Sequence, residues 1–511
     1  SPDGDVFVTG ISTFSEGIAD DITINSVTVG KGSGGNTGNT VVGETALDAI
    51  TTGTNNTAVG KDALTATTTG TLNTGVGRLA LAANTTGTLN VAVGEGALET
   101  SSTGNHNTAV GGKALQLTTT GTQNTAVGHL ALQSNTTGAD NVAIGDQALD
   151  LNTTASYNIA VGSQGLEANT TGTRNVAVGH QALHVAQTAN NNVAVGYVAL
   201  KDNSTGVNNT AVGCYAADTN TTGEESTAIG YLALESNTTG NYNTAVGARA
   251  LDANTTSSNN TAVGRLSLSA STGSSNTAVG AEALEQNTTG ANNVAVGYVS
   301  LDANTTGDNN TAVGKSSLHL NTTGSNNTAI GNMCMGSGGT TGSNNTAVGY
   351  YSLEDCTTGT VNNCIGYEAG RSLTTGSYNV AVGGEALELG TTASSNVALG
   401  HDALRNYQGN ENVAIGLQAL TSATTGYSNV AIGYQANRLL TTGDSNTSVG
   451  YKAMESTTTG TNNVAVGANA ADANTTGGYN IAVGQNSLGA NTTGNHNVAV
   501  GQDALANNDA H

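Results

Sequence analysis

Large aromatic residues are almost missing from this sequence: no Trp and two Phe in 511 residues. A chain this poor in bulky side chains cannot fill several thick cores, although its length would allow three or four ordinary domains. Proline occurs once and the 71 Gly follow no three-residue period, which excludes collagen. Only 10% of residues are charged, so the composition is not that of a charge-rich disordered chain. Basic residues are scarce: 13 Lys and Arg against 36 Asp and Glu, a net charge of −23. Unaided binding to nucleic acid or to an anionic membrane needs Lys and Arg on phosphates, and neither is expected. Four Cys do not make a disulfide scaffold. No apolar run approaches the roughly 18 residues of a membrane-spanning helix, so no membrane insertion is expected. No signal peptide is recognisable. Residue 1 is Ser, which reads as a processed chain or a portion of a longer one. A repeat architecture with a thin core remains.

The repeat is 17 residues long. Its anchor is the Gly that closes N-T-A-V-G or N-V-A-V-G, at Gly43, Gly60, Gly77, Gly94, Gly111 and onward to Gly501. This gives 28 repeats over residues 39–508, and 24 of the 27 intervals are 17 long. Steps of 16, 18 and 16 lead to Gly280, Gly349 and Gly416. Residues 1–38 read as an N-terminal connecting segment and cap, and 509–511 as a tail.

With the Gly as position 0, position −1 is always Val, Ile or Leu (Val59, Ile144, Leu399). Position −2 is Ala in most repeats, with Gly75, Ser448, Cys364 and Val41 as departures. Position −3 is Thr, Val or Ile except at Asn363, and −4 is Asn except at Ser226. Leu fills +4 in 22 of 28 repeats. N-T-T-G usually occupies +7 to +10, as at Asn135–Gly138, and the three length changes fall between +4 and the next −4.

Alternation over −4 to 0 predicts one strand per repeat, apolar on both faces and therefore buried on both. The expectation is that −1 and −3 fill the inside of a coil together with the +4 Leu. The Ala and Asn face then meets another chain. Asn56, Ala58, Val59, Asn107, Ala109 and Val110 are accordingly expected in a core ladder and subunit interface. Asn recurring at one height reads as a ladder bonded from coil to coil. The Gly at 0 and the N-T-T-G segment supply the two reversals. Few apolar side chains per coil cannot offset the entropy of ordering 17 residues, so inter-coil bonds and self-association must contribute.

The motif N-[TV]-A-[VI]-G followed by A-L resembles the head repeats of trimeric autotransporter adhesins, the YadA-like family. The longer form N-T-A-V-G-x-x-A-L-x-x-N-T-T-G is similar to repeats of bacteriophage tail fibre and tail spike proteins. The stretches Asp5–Phe14 and Ile24–Gly30 look like connecting segments of phage fibres. The resemblance implies an all-β, left-handed parallel β-roll, a β-solenoid assembled as a homotrimer. The 17-residue step departs from the typically shorter adhesin repeat and suggests a longer outer turn. No membrane β-barrel anchor is recognisable after the last repeat, so a phage fibre or a released surface fibre is expected over a complete autotransporter. Either chains form private rolls, or three chains interleave about one axis.

A search for chemistry finds no catalytic set and no cofactor or metal site. His129, His180 and His401 share position +1 but lie several coils apart, whereas metal ligands must converge. Cys334, Cys356 and Cys364 crowd into three consecutive coils at unmatched positions and read as small buried residues. Asp and Glu at +1, +2 and +5 (Glu95, Asp146, Glu167, Asp252) read as a solvated face. Paired glycosidase carboxylates need a cleft, and no interval is long enough to build one. The run Gly30–Gly35 lacks the ending of a phosphate loop. Tyr is the one candidate binding feature. Tyr350, Tyr351 and Tyr367 lie on neighbouring coils, as do Tyr434 and Tyr451, and exposed stacked rings suit sugar faces. Sequons such as Asn84, Asn135 and Asn237 read as turn chemistry.

The expected function is therefore structural and not enzymatic: the extracellular shaft of a virion tail fibre or cell-surface appendage, a spacer in host attachment. The alternatives are an adhesin whose repeats bind a host-cell polysaccharide or receptor, and a self-polymerising extracellular filament subunit.

Overall fold

The computed structural model describes residues 22–507, apart from 25, 34 and 35. The segment Asp5–Phe14 and the tail at 509–511 lie outside the described residues. All regular elements among the described residues are strands. The chain divides into two compact units, 1–226 and 227–511.

In the first unit, β1 (Ile22–Ile24) pairs antiparallel with β2 (Val27–Gly30), and β2 pairs antiparallel with β3 (Thr40–Gly43). From β3 the strands recur once per coil and pair parallel in perfect register. Thr57, Ala58 and Val59 of β4 (Thr57–Val59) face Thr74, Gly75 and Val76 of β5 (Thr74–Val76). The series continues to strand Thr210–Val212. The second unit repeats this from strand Thr227–Ile229 to strand Val498–Val500. Each unit is thus a parallel β-solenoid in which consecutive coils of one chain stack directly on each other. The odd-length steps leave the strands aligned: Thr261 faces Thr277, Thr328 faces Thr346 and Val397 faces Val413.

The strand faces the opposite way from the expectation. Ala58 and Ala109 are fully buried inside the coil, as are Asn56 and Asn107, with Leu64 and Leu115 against them. Val59 and Val110 point outward, and Val110 is 37% exposed. Volume decides this. At Gly75 even an added Cβ would lie 3.3 Å from Leu64 Cγ and 3.2 Å from the Ala80 carbonyl. The returning segment brings Ala at +3 and Leu at +4 so close that only a small side chain fits beneath them.

That return has an unexpected backbone. Asp62, Leu64 and Leu72 all have φ between 54° and 60°, and the equivalent positions repeat this in almost every coil. Left-handed conformations in bulky residues cost on the order of 1 kcal/mol each. In return they orient successive peptides along the stack. Thr57, Leu64 and Ala66 donate their N–H groups to the next coil, at 2.8 to 3.0 Å. Gly60, Asp62 and Leu72 donate to the coil before, at 2.8 to 3.1 Å. Nearly the whole circuit is therefore bonded between layers. The Gly at 0 is required by this close stacking. Gly60 has φ +129°, and a Cβ there would sit 2.7 Å from the Gly77 carbonyl oxygen. Position +10 is less strict and accepts Ala155, Ala189, Ser257 and Ala393.

Two Asn ladders run inside. At −4, each Asn accepts from the next and donates to a turn carbonyl: Asn56 Nδ2 to Gly70 O at 2.9 Å, Asn73 Nδ2 to Gly87 O at 2.8 Å. At +7 the ladder is interrupted. Asn152 donates to Asn135 and Asn169 to Asn152, at 3.0 and 2.8 Å. The run ends where Ala186 takes the next place, and Asn169 Oδ1 is left without a partner. Asn84, Asn254 and Asn321 end their runs the same way.

Candidate functional site

The outward strand face is a uniform surface that recurs coil after coil. Two parallel rows run along each unit, the −3 row of Thr, Val or Ile and the −1 row of Val, Ile or Leu. Neighbouring side chains in a row stand one strand spacing apart, about 4.8 Å. No charged side chain occurs in either row, and Asn363 is the one departure from β-branched or apolar residues. Val93, Val127, Ile144 and Val178 in the first unit are exposed, as are Val279, Val296, Ile330 and Ile432 in the second. The stripe is continuous and uncharged on a strongly acidic protein.

Charge collects instead on the side columns at +1, +2 and +5. There it pairs from coil to coil at a separation of 17: Arg78 with Glu95, Lys61 with Glu44 at 3.1 Å, His129 with Asp146 at 3.1 Å. Such exposed pairs contribute little stability each, but they give individual coils a local identity.

The Tyr residues singled out in the sequence come together as expected, on the second unit. Tyr350 and Tyr367 stack at 6.0 Å between ring centres, and Tyr351 lies 3.9 Å from Tyr350. Tyr434 and Tyr451 stack at 5.3 Å. A hydrogen bond with Tyr351, added to burial, pushes the Tyr350 phenol up to about 12. Stacking and cations cover some of the ring faces. Each ring covers its neighbour, the Arg371 guanidinium lies 5.0 Å over Tyr351, and Lys452 Nζ lies 5.8 Å over Tyr451. Tyr367 and Tyr434 remain exposed, and a sugar ring needs such an open face.

Cys334, Cys356 and Cys364 are buried with free thiols, and Cys214 is partly exposed and also free. These three sequons are out of reach: Asn84, Asn135 and Asn237 are buried, each donating to a turn carbonyl three residues on. Among the described residues one group has a ligand-like arrangement, Glu385, His401 and Asp402, whose ligand atoms lie within 4.8 Å of one another. Sequence reasoning missed it because its members come from two coils, at +2, +1 and +2. Compared with protein-family models and with curated proteins, the chain matches none.

Proposed function

We propose that the chain is the shaft of a homotrimeric extracellular fibre, of the bacteriophage tail-fibre kind or a released surface fibre, acting as a spacer in host attachment. The observation that carries this reading is the uncharged Thr/Val/Ile stripe. In the assembly the chains pack through these outward rows, and not through the Ala faces, which the coil itself consumes. Fully burying a Val is worth roughly 1.5 to 3 kcal/mol, and each outward Val retains a fraction of that to gain. The fraction recurs coil after coil, so the total grows with length. The number three rests on the resemblance to trimeric adhesin and tail-fibre repeats. Private rolls packed side by side fit the stacking of coils within one chain.

Light scattering coupled to size exclusion tests this. The expected mass is three times the chain mass of 50.3 kDa. A triple variant, Val110→Asp, Val127→Asp and Ile144→Asp, should shift the assembly towards monomer while keeping its β circular dichroism. A wild-type chain that runs as a monomer would remove the proposal. Filaments of indefinite length would replace it with a self-polymerising subunit.

A further inference from the structure

The +5 side chains form a column in which each stands over its equivalent in the neighbouring coil. At three steps of the second unit opposite charges meet in this column: Arg371 Nε lies 2.8 Å from Glu354, Arg405 Nε 2.6 Å from Glu388, and Arg438 Nε 3.2 Å from Glu455. In the first unit it begins as a one-way hydrogen-bond ladder. Gln116 Nε2 donates to Glu99 at 2.7 Å, and Gln133 Nε2 donates to Gln116 Oε1 at 2.8 Å. The next three members are Asp150, Glu167 and His184.

At Asp150 the ladder runs out of donors. An ionised carboxylate has no hydrogen to offer the Gln133 side chain below it. Asp150 is only 8% exposed, and its buried Oδ1 has no hydrogen-bond partner. Glu167, one coil on, presents a second buried oxygen, Oε2, that also makes no hydrogen bond. His184 Nδ1 lies 3.4 Å from that oxygen and 3.3 Å from the Gln164 carbonyl. The register is held by the backbone: Ser134 N–H donates to Asp150 O at 2.9 Å and Leu151 N–H to Glu167 O at 3.0 Å. Asp146 adds a third negative charge on the same coil. Of these two carboxylates only Glu167 has a basic neighbour, His184, which is charged only when protonated, and Asp150 Oδ1 makes no hydrogen bond.

The Glu385, His401 and Asp402 group shows the contrast. Its ligand atoms are closer together, but Arg405 already sits among them, with Nη2 2.7 Å from Glu385 and Nη1 3.5 Å from Asp402. A guanidinium fills the place that a cation would take. The Asp150–Glu167 step lacks that arginine.

We propose that Asp150 Oδ1 and Glu167 Oε2, with the Gln133 side-chain carbonyl, bind a divalent cation of the calcium class. The ligands are hard oxygens, as such ions require, and water completes the shell at this partly open edge. His184 is a positioning residue that holds Glu167 from above. Two carboxylates give a weak site, on the order of 10⁻⁴ to 10⁻³ M, the range of extracellular calcium modules.

The test is calorimetric titration of the EDTA-stripped full-length chain with calcium chloride, beside thermal melting with and without the ion. One saturable site per chain is expected. Asp150→Asn and Glu167→Gln should each weaken it at least tenfold, while Glu385→Gln leaves it unchanged. Calcium should raise the melting temperature of the wild type and not that of Asp150→Asn. Circular dichroism establishes that the variants are folded. No saturable binding up to about 10 mM calcium, well above that range, would overturn the proposal. So would binding that survives both column variants. A wild type indifferent to calcium, with Asp150→Asn melting higher, would mean that a proton alone occupies the column.

Discussion

Asn73 makes two hydrogen bonds to a single atom of Asn56: its backbone N–H reaches Asn56 Oδ1 at 3.0 Å and its side-chain Nδ2 reaches the same oxygen at 3.2 Å. Its own Oδ1 then accepts the same pair of bonds from Asn90, at 3.0 and 3.2 Å. Each amide thus serves backbone and ladder together. Asn73→Ala keeps the backbone bond to Asn56 but removes the side-chain bonds, leaving the Asn90 N–H without a partner in the core and the Gly87 carbonyl with Asn84 Nδ2 alone, at 3.3 Å. The expected cost is about 2 to 4 kcal/mol, read as a lower midpoint in denaturant. A loss below about 0.5 kcal/mol would mean that the ladder is ornamental to stability.

Val361 offers the opposite sign. It is 37% exposed, β-branched, and held at φ 58°. The same position in the two preceding coils is Asn344 and Asn326, at φ 63° and 60°. Asn tolerates this conformation far better than Val. Val361→Asn keeps the N–H bond to Ser343 O at 3.2 Å and should stabilise the protein by about 0.5 to 1 kcal/mol. A melting temperature that stays put or falls would argue that the strain is absorbed elsewhere.

The thiols should divide three to one. Burial pushes Cys334 and Cys356 up to about 12, and burial with its two neighbours pushes Cys364 in the same direction. Only a thiolate attacks a disulfide reagent. At pH 8 the folded chain should therefore titrate one thiol, Cys214, and the unfolded chain all four. Fast reaction of a second thiol before unfolding would show that the coils around Cys356 open locally.

Burial, then the charge of Glu167, raises Asp150 from 3.8 to about 6, with Asp146 adding and His129 opposing. His184 faces the same column through Glu167. A carboxyl group raised on folding favours the protonated folded state. Its contribution is therefore fully present below about pH 4 and is lost as pH rises through about 6. Solvent access reduces the effect to about 1 kcal/mol. In EDTA, the melting temperature of Asp150→Asn minus that of the wild type should grow between pH 4.5 and 7.5. A difference that shrinks with pH would contradict this assignment.

The period, the strand and the alignment of coils were all legible from the spacing of Gly60, Gly77 and their successors. The facing of the strand was not. Ala58 and Val59 are both apolar, and hydropathy does not separate a small inward side chain from a bulky outward one. The distinction is steric and depends on how close Leu64 approaches, which requires Leu64 to adopt a left-handed backbone. Leu rarely does so, and nothing in its chemistry announces it. The Asn ladder at −4 was legible because an amide at constant height has one efficient partner, the next amide. Asp150 and Glu167 read as solvated because single carboxylates usually are. Their burial is a property of two coils together.

Within each unit, Asn stands over Asn, Ala over Ala and Gly over Gly at nearly every layer, while pairs such as Arg78 and Glu95 mark particular layers. Loss of any 17 consecutive residues rejoins surfaces that already match. Each unit inherits its length in whole graduations of about 4.8 Å, like a ruler. Unequal recombination between repeats of its gene would reset the reach without redesigning a single contact of the spine, and only the side-column pairs would record the cut.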